Sequence, residues 1–71
     1  MILSLVIKSQ TLSLLRLAAE GLTPDEITRI ENISKKEIET QLKQVYKQLK
    51  TTDPLQALQL LAKTDFKVVD D

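Results

Sequence analysis

Neither cysteine nor histidine occurs anywhere in the 71 residues. Without cysteine there can be no disulfide and no thiolate metal site. Without histidine as well, zinc chemistry and catalysis by an imidazole base are set aside. Glycine occurs once, at Gly21, and proline twice, at Pro24 and Pro54. No repeat, low-complexity stretch or linker divides the chain, so a single domain over residues 1–71 is expected. A chain this short buries only about 60% of its unfolded surface, so its core is marginal and rests on leucine and isoleucine packing. An enclosed catalytic cleft is hard to build at this size. A binding module is therefore expected rather than an enzyme, with no catalytic residues, metal or cofactor.

Net charge is also lacking: ten basic and ten acidic residues cancel. Nucleic-acid-binding domains are usually basic, so the total argues against that class. The apolar start, Met1 to Ile7, is too short to span a bilayer. It carries neither the basic region nor the cleavage site of a signal peptide. It reads as an arm or strand-like lead-in that packs on the helices, and the expectation is a cytoplasmic protein without membrane contact.

What is present is helical signal. A first helix is expected from about Ser9 to Glu20, with Leu12, Leu15 and Ala19 at helical spacing and Leu14, Leu17 and Ala18 widening the face. Gly21 follows as its left-handed end. Thr23-Pro24-Asp25-Glu26 predicts a capping box that opens a second helix, with Ile27 and Ile30 facing inward and Asn32 ending it. Ser34-Lys35-Lys36-Glu37 predicts another box. It opens a third helix carrying Ile38, Leu42, Val45 and Leu49 as one apolar stripe. Asp53-Pro54-Leu55-Gln56 predicts a third box and a fourth helix, with Leu55, Leu58 and Leu61 along one face. Residues 64–71 are expected to fray, although Phe66 and Val68 offer apolar groups for docking. The fold class predicted is all-α: four helices, the middle pair separated only by Asn32-Ile33-Ser34 as a helix-turn-helix.

The run from Leu14 to Thr23, Leu-Leu-Arg-Leu-Ala-Ala-Glu-Gly-Leu-Thr, is followed by Glu26-Ile27, Ile33-Ser34, Ile38, Val45, Leu49 and Ala57. In register and without a gap, these residues resemble the LuxR/GerE-type helix-turn-helix DNA-binding domain. The resemblance implies a four-helix fold whose third helix enters the DNA major groove and whose fourth often mediates dimerisation. The chain departs from that family at Thr11, Glu31, Glu37, Glu39, Gln41, Gln48 and Pro54. Most of these lie where the family touches DNA.

Lys36, Thr40, Lys43 and Lys47 fall opposite the third helix's apolar stripe, with Glu39 and Lys50 on one flank and Glu37 and Gln44 on the other. Residues 35–50 hold five lysines against two glutamates, so the neutral total hides a polarised molecule. The expected interface with double-stranded DNA is Ser34, Lys35, Lys36, Glu39, Thr40, Lys43, Lys47 and Lys50. The lysines would take phosphates, the helix start at Ser34 would offer free amides, and Thr40 and Lys43 would face base edges. Glu37 reads as the capping carboxylate of its box. Glu39 can pair with Lys43 or Lys36, accept from a cytosine amine, or repel DNA. Glu31 either turns to solvent while Ile30 fills the core, or meets a partner. The leucine-rich fourth helix suggests a homodimer through Leu55, Leu58, Leu61 and Ala62, unless the N-terminal arm covers that surplus within one chain. Two functions follow: a stand-alone transcriptional regulator, or a degenerate helix-turn-helix that binds a protein instead of DNA.

Overall fold

The computed structural model describes residues 5–70. The chain runs β1 (Leu5–Lys8), α1 (Ser9–Ala19), α2 (Pro24–Glu31), α3 (Lys35–Leu49), α4 (Pro54–Ala62) and β2 (Phe66–Val69). The fold is thus mostly helical with four helices, as expected, but not purely so. β1 and β2 pair in parallel, Leu5 opposite Phe66 through Lys8 opposite Val69. Parallel strands cannot be joined by a tight turn, and here the crossover consists of all four helices.

This sheet corrects the prediction at the C-terminal end and makes the strand-like reading of the N-terminal one specific. The segment expected to fray holds a strand over residues 66–69, and the arm, where described, is the opposite strand. Short β-branched runs at two distant positions, Leu-Val-Ile and Val-Val, satisfy each other's backbone groups once the helices bring them together. The predicted arm residues 1–4 lie outside the described residues.

Two apolar clusters form the core. One holds Ile7, Leu15, Val45, Ala57 and Leu61 and ties β1, α1, α3 and α4 together. The other holds Leu14, Ile27 and Ile38 and ties α1 to α2 and α3. Leu42 packs against both. Adjacent Leu14 and Leu15 thus serve different clusters, which explains why the apolar face of α1 is wide.

The helix ends obey local chemistry only in part. Thr23 accepts from the Glu26 amide while the Glu26 carboxylate accepts from the Thr23 amide at 2.9 Å, a complete capping box. Ser34 accepts from the Glu37 amide at 3.1 Å, and Asp53 from the Leu55 amide at 3.3 Å. The reciprocal halves predicted from Glu37 and Gln56 are not made. Glu37 accepts from Gln41 instead, and Gln56 accepts from the Thr51 hydroxyl. Gly21, Asn32 and Lys50 all take positive φ at helix ends. For Lys50 this is a conformation that L residues with a full side chain adopt at a cost of about 1–2 kcal/mol.

On α2 the expected orientation is reversed at one pair of positions. Ile30 is 57% exposed and Glu31 is half-buried. Ile27 is the buried residue of the helix, and Ile30 lies three residues on, at the edge of its narrow inward face.

Candidate nucleic-acid interface

α3 is anchored by Ile38 and Val45, both fully or nearly buried, with Leu42, Tyr46 and Leu49 half-buried beside them. That arc fixes which side of the helix meets solvent. Lys36, Glu39, Thr40, Lys43 and Lys47 are all exposed. Among the described residues, Lys36, Lys43 and Lys47 form no ion pair, so their ammonium groups remain available to an anion. Glu39 forms none either, and neither predicted pairing, with Lys36 or with Lys43, is present. Lys35 differs: its Nζ stands 4.0 Å from Asp25 Oδ1, joining the first turn of α3 to that of α2. Both side chains are well exposed, so this contact is weak and salt-sensitive.

Ser34 and Lys50 bound the helix. Ser34 is the N-cap, its hydroxyl already accepting from the backbone. Lys50 is the left-handed C-cap, exposed beyond the last turn. Thr40 donates its hydroxyl to the Lys36 carbonyl at 2.9 Å. Its proton is therefore committed to its own helix, and its oxygen remains an acceptor. Against a base edge it would match an amine.

One flank of α3 holds an arrangement that periodicity did not reveal. Gln41, noted in the sequence only as a departure from the family pattern, is 7% exposed. Its carbonyl oxygen accepts from the buried Thr11 hydroxyl at 2.6 Å. Its amide nitrogen donates to Gln10 Oε1 at 3.0 Å and to Glu37 Oε1 at 3.1 Å. All the polar capacity that burial makes costly is thus used, and α3 is clamped to the first turn of α1. The signal was there in the spacing. Gln41 sits three residues after Ile38 and four before Val45, on the same arc as both.

The residues expected at a dimer interface divide. Leu61 is 2% exposed within the first core cluster, so it is committed to its own chain, and its assignment to a dimer is corrected. Leu58 is half-buried against that cluster. Leu55, 53% exposed, and Ala62 remain outside.

No group of three His, Asp or Glu side chains suited to a metal ion comes together among the described residues. No helix among them is long and apolar enough to cross a membrane. Compared with protein-family models, curated proteins and solved structures, the chain matches none.

Proposed function

We propose that the chain is a DNA-binding regulatory module in which α2, the turn at Asn32-Ile33-Ser34 and α3 act as a helix-turn-helix. α3 lies in the major groove. The observation that carries this reading is the outer face of α3, where Lys36, Lys43 and Lys47 are exposed and, among the described residues, free of ion pairs, with Thr40 exposed beside them. A row of unneutralised lysines on a clamped helix is suited to phosphate, and release of counterions from phosphate supplies most of the affinity. Asn32 gives the turn its left-handed residue, with φ of 56°. Lys35 is partly spent on Asp25, and Lys50 extends the basic row past the helix end.

Fluorescence anisotropy on random-sequence duplex across a salt series tests this. Binding at low salt should weaken steeply, each lost phosphate contact removing about 0.9 from the slope of log K against log salt. Lys43→Glu with Lys47→Glu should abolish it. A folded chain that fails to bind at low salt overturns the reading.

A second reading is a protein-interaction module that does not bind DNA. It is favoured by the carboxylate of Glu39 on the flank of α3, which has no ion pair among the described residues, and by Ile30 and Leu55, each more than half exposed. A homodimer is part of the first reading. Its surface on α4 is narrower than the sequence suggested, reduced to Leu55 and Ala62 with the rim of Leu58.

A further inference from the structure

Glu39 stands among cations without holding one. It is exposed on α3, with Lys36 three residues before it and Lys43 four after, and among the described residues it makes no ion pair and no side-chain hydrogen bond. Helical geometry sets Glu39 and Lys43 in one row, about 40° apart around the axis and about 6 Å apart along it. Glu39 lies in the second turn of α3 and Lys43 at the start of the third. The N-terminal turns of a helix in the major groove are those that meet base edges.

A carboxylate can only accept. In the major groove guanine shows it two acceptors, and thymine shows an acceptor and a methyl group, so neither can bond it. Adenine offers its N6 amine but sets the N7 acceptor beside it, against the second carboxylate oxygen. Cytosine offers its N4 amine with no acceptor of its own alongside. Of the four bases, cytosine alone satisfies a carboxylate without opposing it. A neutral carboxamide differs, because it fits N6 and N7 of adenine together.

We propose that Glu39 reads a cytosine through its N4 amine and that Lys43 reads a guanine about two base pairs away. This rests on the DNA-binding reading and gives it a base preference. Successive base pairs are about 3.4 Å apart, so the rise between Glu39 and Lys43 spans about two steps. The Lys43 ammonium, a donor free of ion pairs among the described residues, fits guanine O6 and N7. Thr40, whose proton is committed to the Lys36 carbonyl, adds an acceptor that takes either amine-bearing base. The same Glu39 carboxylate favours the second reading. What separates the two is whether removing it changes base preference or only total affinity.

The test is selection from a random duplex library, followed by anisotropy on single-pair variants of the recovered site, all at one fixed salt concentration. The wild-type chain should recover a C·G pair and, about two pairs away, a second pair carrying guanine. Changing the first pair to T·A puts a carbonyl oxygen where the amine stood. It should weaken the wild type at least about fivefold and Glu39→Ala less than about twofold. Glu39→Gln should recover adenine in place of cytosine and leave the other positions as they were. Lys43→Ala should lose the guanine preference and keep the cytosine. Glu39 and Lys43 are exposed and make no bond within the described fold, so these variants should melt as the wild type does. If the Glu39 variants keep the wild-type base preferences and bind every duplex more tightly, Glu39 merely repels phosphate. The inference is then overturned while the DNA-binding reading stands. Wild-type binding with no base preference, or a guanine preference that survives Lys43→Ala, overturns it in the same way. A folded chain that binds no duplex at low salt overturns both together.

Discussion

Tyr46 is the chain's one tyrosine, on the inner flank of α3 against the first core cluster. Burial raises its phenol above the usual 10.0, and the negative charge of Asp53 adds to the rise. A raised folded value stabilises the protein fully below the unfolded value, and that contribution is lost as pH climbs through the folded one. Absorbance titration at 295 nm should therefore show a single phenolate midpoint above 10, with unfolding following it. Asp53→Asn should lower the midpoint only in part, because burial is the larger cause. At the other extreme of pH, Glu26 is held below its usual 4.5, first by the Thr23 amide, then by the Thr23 hydroxyl and the charge of Arg29. A depressed carboxylate stabilises the fold above its unfolded value, and that contribution is lost as pH falls below 4.5 toward the folded value. Thr23→Ala should cost about 1 kcal/mol at neutral pH by denaturant melts, as loss of an N-cap does. It should also move the Glu26 carboxylate midpoint upward.

At the scale of elements, the α1–α3 contact holds one buried polar pair among its apolar ones. Thr11 and Gln41 are both buried and bonded to each other at 2.6 Å. Removing either partner alone leaves a buried group unsatisfied, at about 1–3 kcal/mol. Replacing both with apolar residues of similar shape, Thr11→Val with Gln41→Met, should cost much less than the sum of the singles. Urea melts of the four proteins complete the cycle, and additive losses would show that the bond is not the unit of stability. The double variant also releases Glu37 from Gln41. α4 differs in kind: its contact with the rest of the chain is apolar, through Ala57 and Leu61.

For the molecule as a whole, the question is which leucines of α4 belong to the fold and which to a partner copy. Leu61→Ala should destabilise the chain by about 2–5 kcal/mol, since it opens a cavity in the first core cluster. Leu55→Asp should leave the melting curve within about 0.5 kcal/mol, as surface substitutions do. If α4 forms a dimer, sedimentation should show a mass that rises with concentration and that Leu55→Asp returns to monomer. A wild-type chain that stays monomeric at the highest soluble concentration removes the dimer from the proposed function. The net charge of zero imposes no overall repulsion between copies.

The sequence by itself determined the four helices, because their signals are local. Thr23, Ser34 and Asp53 mark helix starts through bonds to amides two or three residues on, and Gly21 and Asn32 mark ends through a left-handed backbone. The outward placement of Lys36, Thr40, Lys43 and Lys47 was likewise legible, since a fifteen-residue helix with one apolar stripe has only one opposite face. Tertiary structure decided what depends on residues far apart in the chain. β1 and β2 are strands because each is the other's partner across the whole helical segment, and neither four-residue run announces this alone. Ile30 turned outward and Leu61 inward because the positions of neighbouring helices, and not hydrophobicity, set which apolar side chains find a cover. Gln41 is satisfied inside the fold and Glu37 left its cap for one reason: a buried amide must fill its hydrogen bonds, and Thr11 and Gln10, some thirty residues away in sequence, stood where it could do so.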